Sequence, residues 1–149
     1  TADRQIPVSW TDYNGHMNET HYLEAGSLAT DRFMELIGAD ADYIASGKSY
    51  FTIETHVRYL SELHAGDRLT IRTQVLEGEG KKLHLFHLLY GPDDTLAATV
   101  ETLLLHVDLT TRASSLPDQN VLEQLQSYHH AHAALGQPEG AGRSVGQKA

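Results

Sequence analysis

The sequence predicts an α+β chain, one antiparallel sheet with a long helix laid against it. A single long helical pattern stands early, four strand-like segments follow without another long helix between them, and Gly-containing hairpin signals separate the later strands.

Residues 6–10, Ile6-Pro7-Val8-Ser9-Trp10, alternate apolar and polar and predict a short strand, with Pro7 marking an edge or a strand start. Residues 11–18 are polar around Gly15 and predict a loop, in which glycine supplies a special backbone angle or a close approach. From Glu19 the period changes: Tyr22, Gly26, Ala29, Phe33 and Leu36 recur at steps of four and three, as on one face of a helix. Asn18 is a natural N-cap and Gly38 a natural C′ stop, so the helix is about 20 residues and roughly 30 Å long. Its stripe is small at the centre, at Ala25, Gly26 and Ala29. Glycine there costs about 1 kcal/mol relative to alanine, which predicts a very close neighbour.

Residues 50–60 alternate, with Phe51, Ile53, Thr55, Val57 and Tyr59 on one side and Thr52, Glu54, His56 and Arg58 on the other. Residues 68–77 alternate likewise, 83–90 are mostly apolar as in a central strand, and 96–109 can run the length of a sheet. Gly78-Glu79-Gly80 and Gly91-Pro92-Asp93-Asp94 are hairpin signals, so these strands are expected as antiparallel neighbours. A last helix is expected near 118–134. The organisation expected is one domain over 1–134 and a Gly-rich tail over 135–149. A curved five-stranded sheet wrapped around the long helix leaves two edges, and pairing one with a second copy predicts a homodimer or a dimer of dimers.

Composition narrows the function. There is no cysteine, which excludes a disulfide, a thiolate nucleophile and a cysteine-bound zinc. Residues 1–5 lack the apolar core of a signal peptide, and no stretch approaches the roughly 18 apolar residues of a membrane span, so a cytoplasmic chain with no membrane partner is expected. Eleven basic residues against 20 acidic ones give a net charge of −9, which argues against a nucleic-acid partner.

The chemistry concentrates in Asp12-Tyr13-Asn14-Gly15-His16-Met17-Asn18, just before the helix. A helix start offers free backbone N–H groups and a partial charge of roughly +0.5, which suit a developing oxyanion. Asp12 can act as nucleophile or as general base for water against a carbonyl held there. A thioester suits such a site, because its thiolate leaves without obligatory protonation. His16 can orient Asp12, bind the carbonyl or hydrogen-bond the loop; Asn18 has a structural task as the cap.

This segment resembles the motif of the 4-hydroxybenzoyl-CoA thioesterase group of the hotdog superfamily, with Asp12 at the catalytic aspartate position and Gly15 at the loop glycine. It is also similar to the Asp-x-Asn-x-His-x-Asn pattern of plant acyl-ACP thioesterases at Asp12, Asn14, His16 and Asn18, departing at Gly15, where those enzymes usually carry Gln. The likeness extends to Tyr22, Tyr59-Leu60 and Gly66-Asp67, covering roughly residues 6–109. Including Tyr50 to His56 and the ending Pro138 to Arg143, the chain looks similar to betainyl-CoA thioesterases associated with carnitine breakdown.

The resemblance implies a hotdog fold and hydrolysis of a small acyl-CoA, with Asp12, Asn14, Gly15, His16 and Asn18 as site residues and no cofactor. A quaternary ammonium on the acyl group calls for carboxylates or aromatic faces, for which Glu54, Tyr50, Phe51 and His56 are the substrate-binding candidates. Two other readings stand beside it: a hotdog enoyl-CoA hydratase or dehydratase, and a non-catalytic acyl-CoA-binding module. The cluster His129-His130-Ala131-His132 does not share one helix face, and no metal is expected.

Overall fold

A computed structural model describes residues 1–147. The long helix forms where the spacing predicts it, as α1 (Glu19–Leu36). Asn18 caps it, its side-chain oxygen accepting the Thr20 N–H at 3.1 Å, and Gly38 follows its end with φ of 87°. Tyr22, Ala25, Gly26, Ala29, Thr30 and Phe33 are buried against the sheet.

The sheet is antiparallel throughout, with β1 (Ala2–Gln5), β2 (Lys48–Tyr59), β3 (Arg68–Glu77), β4 (Lys82–Tyr90) and β5 (Leu96–Asp108) in the order β1-β3-β4-β5-β2. A two-residue strand, β6 (Ala113–Ser114), also pairs with β5. A short α2 (Ala41–Ala45) precedes β2, and α3 (Gln119–His132) buries Val121 and Leu125. The small centre of α1 is explained at Gly26, where a Cβ would stand 2.6 Å from Val100 Cγ1 on β5. The helix backbone therefore lies directly on the sheet.

Two local expectations are corrected. Residues 8–10 form a 3₁₀ turn, and the first strand lies earlier, at Ala2–Gln5. Pro7 has no N–H for a ladder, while the Trp10 N–H donates to the Pro7 carbonyl at 3.0 Å and the Thr11 N–H to Val8 at 3.0 Å. In β2 the register slips between Thr52 and Glu54. With Ile53 as the extra residue of a bulge, Tyr50 and Thr52 join Thr55 on the face toward α1, and Phe51 leaves it.

His87 ties the layers together. Fully buried on β4, it contacts the hydroxyls of Thr30 on α1 and Thr73 on β3, each at 2.8 Å. Burial pushes its pKa down to about 3, so the native imidazole is neutral. The unfolded chain binds that proton near pH 6.5 and the native one does not. The His87 contribution to stability is therefore expected to be constant above about pH 6.5 and to fall below it at up to about 1.4 kcal/mol per pH unit. Urea melts of wild type and His87→Gln from pH 7 to pH 4.5 check this, the variant losing the steeper part of the slope.

The Gly-rich tail turns back onto the sheet. The Gly136 carbonyl accepts from Gln74 Nε2 at 2.7 Å, and the Gly142 N–H donates to both Glu101 oxygens at 2.8 and 3.0 Å. Glu101 also meets His84 at 2.9 Å. Among the described residues no helix is long and apolar enough to cross a membrane.

Candidate active site

The loop before α1 is a closed hairpin. Residues Thr11 and Met17 bridge, the Asp12 N–H donates to the His16 carbonyl at 2.8 Å, and the Gly15 N–H returns to the Asp12 carbonyl at 3.0 Å. Such a three-residue turn needs a left-handed residue at its end. Gly15 supplies it at φ of 78°, with open space around it. Trp10 and Met17 anchor the two ends: the Trp10 carbonyl accepts the Asn18 N–H at 2.8 Å, and the Met17 N–H donates to Leu63 at 2.7 Å.

Asp12 sits at the first position of this turn, where aspartate is favoured because its side chain can accept downstream N–H groups. Oδ1 accepts from Asn14 N at 2.8 Å and from His16 N at 3.2 Å, while Oδ2 has no partner among the described residues. One oxygen is held and the other is available. Asn18 Oδ1 satisfies the Thr20 N–H and hydroxyl, leaving the Glu19 N–H without an acceptor among the described residues. A free carboxylate oxygen and a free helix-start N–H thus flank one short loop, the pair that acyl transfer requires.

The fold brings in residues that sequence reasoning missed. The connection after β2 bridges back through His64 to His16, placing Glu62 Oε2 3.4 Å from His16 Nε2 and the two imidazoles edge-to-face at 4.8 Å. Ligand-type atoms of His16, Glu62 and His64 lie within 4.8 Å of one another, a set able to receive a metal ion although the carboxylate chemistry requires none. No periodicity marks Glu62 or His64. Only the Gly66-Asp67 turn that closes this connection is visible in the sequence.

The expected acyl-binding residues divide. Tyr50 is buried on the α1 face, its hydroxyl unpartnered, in a cavity of about 350 Å³ shared with Thr30, Asp31 and Thr52. Burial raises the pKa of that phenol. Phe51 is half exposed. Glu54 and His56 lie on the opposite face, in a cavity closed by His84, Glu101 and tail residues Gly142 and Arg143. Five residues along β2 separate Glu54 from Tyr59, which touches the start of α1; that is about 17 Å of strand. Within the chain, Glu54 and His56 do not meet the Asp12 loop.

The antiparallel sheet curled on α1 is a hotdog fold. Residues 6–125 match the thioesterase-like superfamily, and the chain belongs to that family. It is 54% identical over 145 residues to the L-carnitine dehydrogenase/betainyl-CoA thioesterase of Ruegeria pomeroyi, covering 97% of this chain and 30% of that protein. It is 41% identical over 148 residues to the betainyl-CoA thioesterase of Pseudomonas aeruginosa, covering 98% of this chain and 93% of that one. Among solved structures, a Staphylococcus aureus protein in complex with CoA superposes with a TM-score of 0.92 at 28% identity, covering 99% of this chain and 94% of that one. The chain thus spans 30% of the length of the Ruegeria relative and 93% of that of the Pseudomonas one.

Proposed function

We propose that the chain hydrolyses the thioester of a small acyl-CoA, betainyl-CoA foremost, to the free acid and CoA. The observation that carries this reading is Asp12, with one oxygen held by two backbone N–H groups and the other free, on the short loop that leads into α1, where the Glu19 N–H is unpaired among the described residues. The thioester carbonyl lies over the helix end, its oxygen accepting the Glu19 N–H. Asp12 Oδ2 then attacks the carbonyl carbon or takes a proton from the water that does. The tetrahedral intermediate collapses with loss of CoA thiolate. On the nucleophilic route, water cleaves the resulting mixed anhydride and frees Asp12. Asn14, Gly15 and Asn18 hold the loop and helix start, and His16 lines the carbonyl side with Glu62 against its ring.

The relatives' named activity supports the acyl group, and the CoA-bound structure supports CoA as carrier. Of the basic residues that could meet CoA phosphates, Arg68 is paired with Asp3, whereas Lys81 only reaches Ser114 at 3.4 Å. We place the enzyme in the cytoplasm, with no nucleic-acid partner. It is proposed to assemble as a homodimer, or a dimer of dimers, through edge strand β2, which exposes Phe51 and Ile53. Organising residues 1–134 as the catalytic domain, with the tail an appendage, is part of the same proposal.

A thiol-release screen over acyl-CoAs of varied size and charge tests the reading. Betainyl-CoA is expected at the top. A flat profile would remove the specificity, and water addition to an enoyl-CoA without thiol release would favour the hydratase.

A further inference from the structure

Beside the Asp12 loop, the first turn of α1 and the end of β2 enclose a groove of about 300 Å³. Its walls include Met17, Glu19, Tyr22, Tyr59, Leu60 and Glu62, and none of its lining residues is basic. Tyr22 and Tyr59 meet nearly at right angles, ring centres 5.0 Å apart. The Tyr59 hydroxyl donates to the Glu19 carbonyl at 3.0 Å, which fixes the ring while half of the residue remains exposed. Two carboxylates and two aromatic rings thus surround an open space, with no cation on its walls.

We propose that this groove holds a quaternary ammonium on the acyl group, with the Tyr59 face and the Glu62 and Glu19 carboxylates setting the preference for a cationic over a neutral acyl chain. The inference rests on the betainyl-CoA reading above. The electrostatics agree: burial and then the nearby Glu19 charge raise the Tyr59 phenol, while Tyr22 is raised by burial and, among smaller causes, by Glu62. Of these causes, the Glu19 and Glu62 charges are the ones that would also attract a cation.

Reach also agrees. In a betainyl thioester the nitrogen is two bonds from the carbonyl carbon, so the headgroup must lie beside the reacting carbonyl. Glu62 touches His16, whose backbone N–H donates to Asp12, whereas Glu54 and His56 lie on the far face of the sheet. Within one chain, Glu62, Glu19 and Tyr59, rather than Glu54, are the residues placed for acyl recognition next to the Asp12 loop.

The test compares betainyl-CoA with 3,3-dimethylbutyryl-CoA, in which carbon replaces nitrogen. It uses kcat/KM for the thioesters and Kd for the matching non-hydrolysable thioethers. Wild type is expected to prefer the cationic member in both readouts. Tyr59→Leu and Glu62→Gln should each reduce that preference by about tenfold, while Tyr59→Phe keeps the ring and retains it. Equal losses on both members, or an unchanged preference, would overturn the groove assignment. If the thioethers show the Tyr59-dependent preference but betainyl-CoA is not hydrolysed, the groove stands and the functional reading fails.

Discussion

Asp12→Asn is expected to lower thioester hydrolysis by about 10³-fold or more while leaving the fold intact. Asparagine keeps an Oδ1 acceptor for the Asn14 and His16 N–H groups, so the turn survives. It removes the charge and the lone pair with which Oδ2 attacks or deprotonates water. Asp12→Ala should lose turnover as well, and in addition loses both turn bonds, worth about 0.5–2 kcal/mol by analogy with helix caps. Steady-state thiol release beside thermal melts separates these effects. Asp12→Asn with near-native turnover would remove Asp12 from the chemistry.

Gly26→Val carries the largest expected effect on stability. A Cβ at this position would already stand 2.6 Å from Val100 Cγ1 and 3.0 Å from Val100 Cβ. Val100 is buried and β-branched, so it has little freedom to turn aside. The helix must lift from the sheet or β5 must bend, and the overpacking should cost about 3 kcal/mol. For a chain of this size that lowers Tm by roughly 6–12 °C. Val100→Ala in the Gly26→Val background should recover part of the loss. An unchanged Tm in Gly26→Val would contradict the close approach of α1 to β5.

The long helix was legible because its signals are local: the Asn18 cap, the four-and-three spacing and the Gly38 stop all lie within one stretch of chain. Its small centre also announced a close neighbour, which the fold supplies as Val100. Residues 6–10 were misread because alternation cannot distinguish a strand from a turn when Pro7 removes the ladder donor. The faces of β2 were misassigned before the bulge, since one extra residue at Ile53 reverses the alternation and leaves no mark in composition.

The site divides along the same line. Asp12, Asn14, Gly15, His16 and Asn18 are consecutive or nearly so, and their turn chemistry is written in residue type. Glu62, His64 and Tyr59 reach that loop only when the β2–β3 connection closes against it. Glu54 and His56 shared an alternating polar face, but alternation does not say which face meets α1, and theirs lies beneath the tail.

The proposed reaction divides a thioester with water. The most direct measurement is mass analysis of products from betainyl-CoA incubated with the protein in ¹⁸O-labelled water. The prediction is glycine betaine carrying the label, with one CoA thiol released per acid formed, and neither product with Asp12→Asn. Betainyl-CoA recovered intact from wild-type protein, or thiol release that persists in Asp12→Asn, would contradict it.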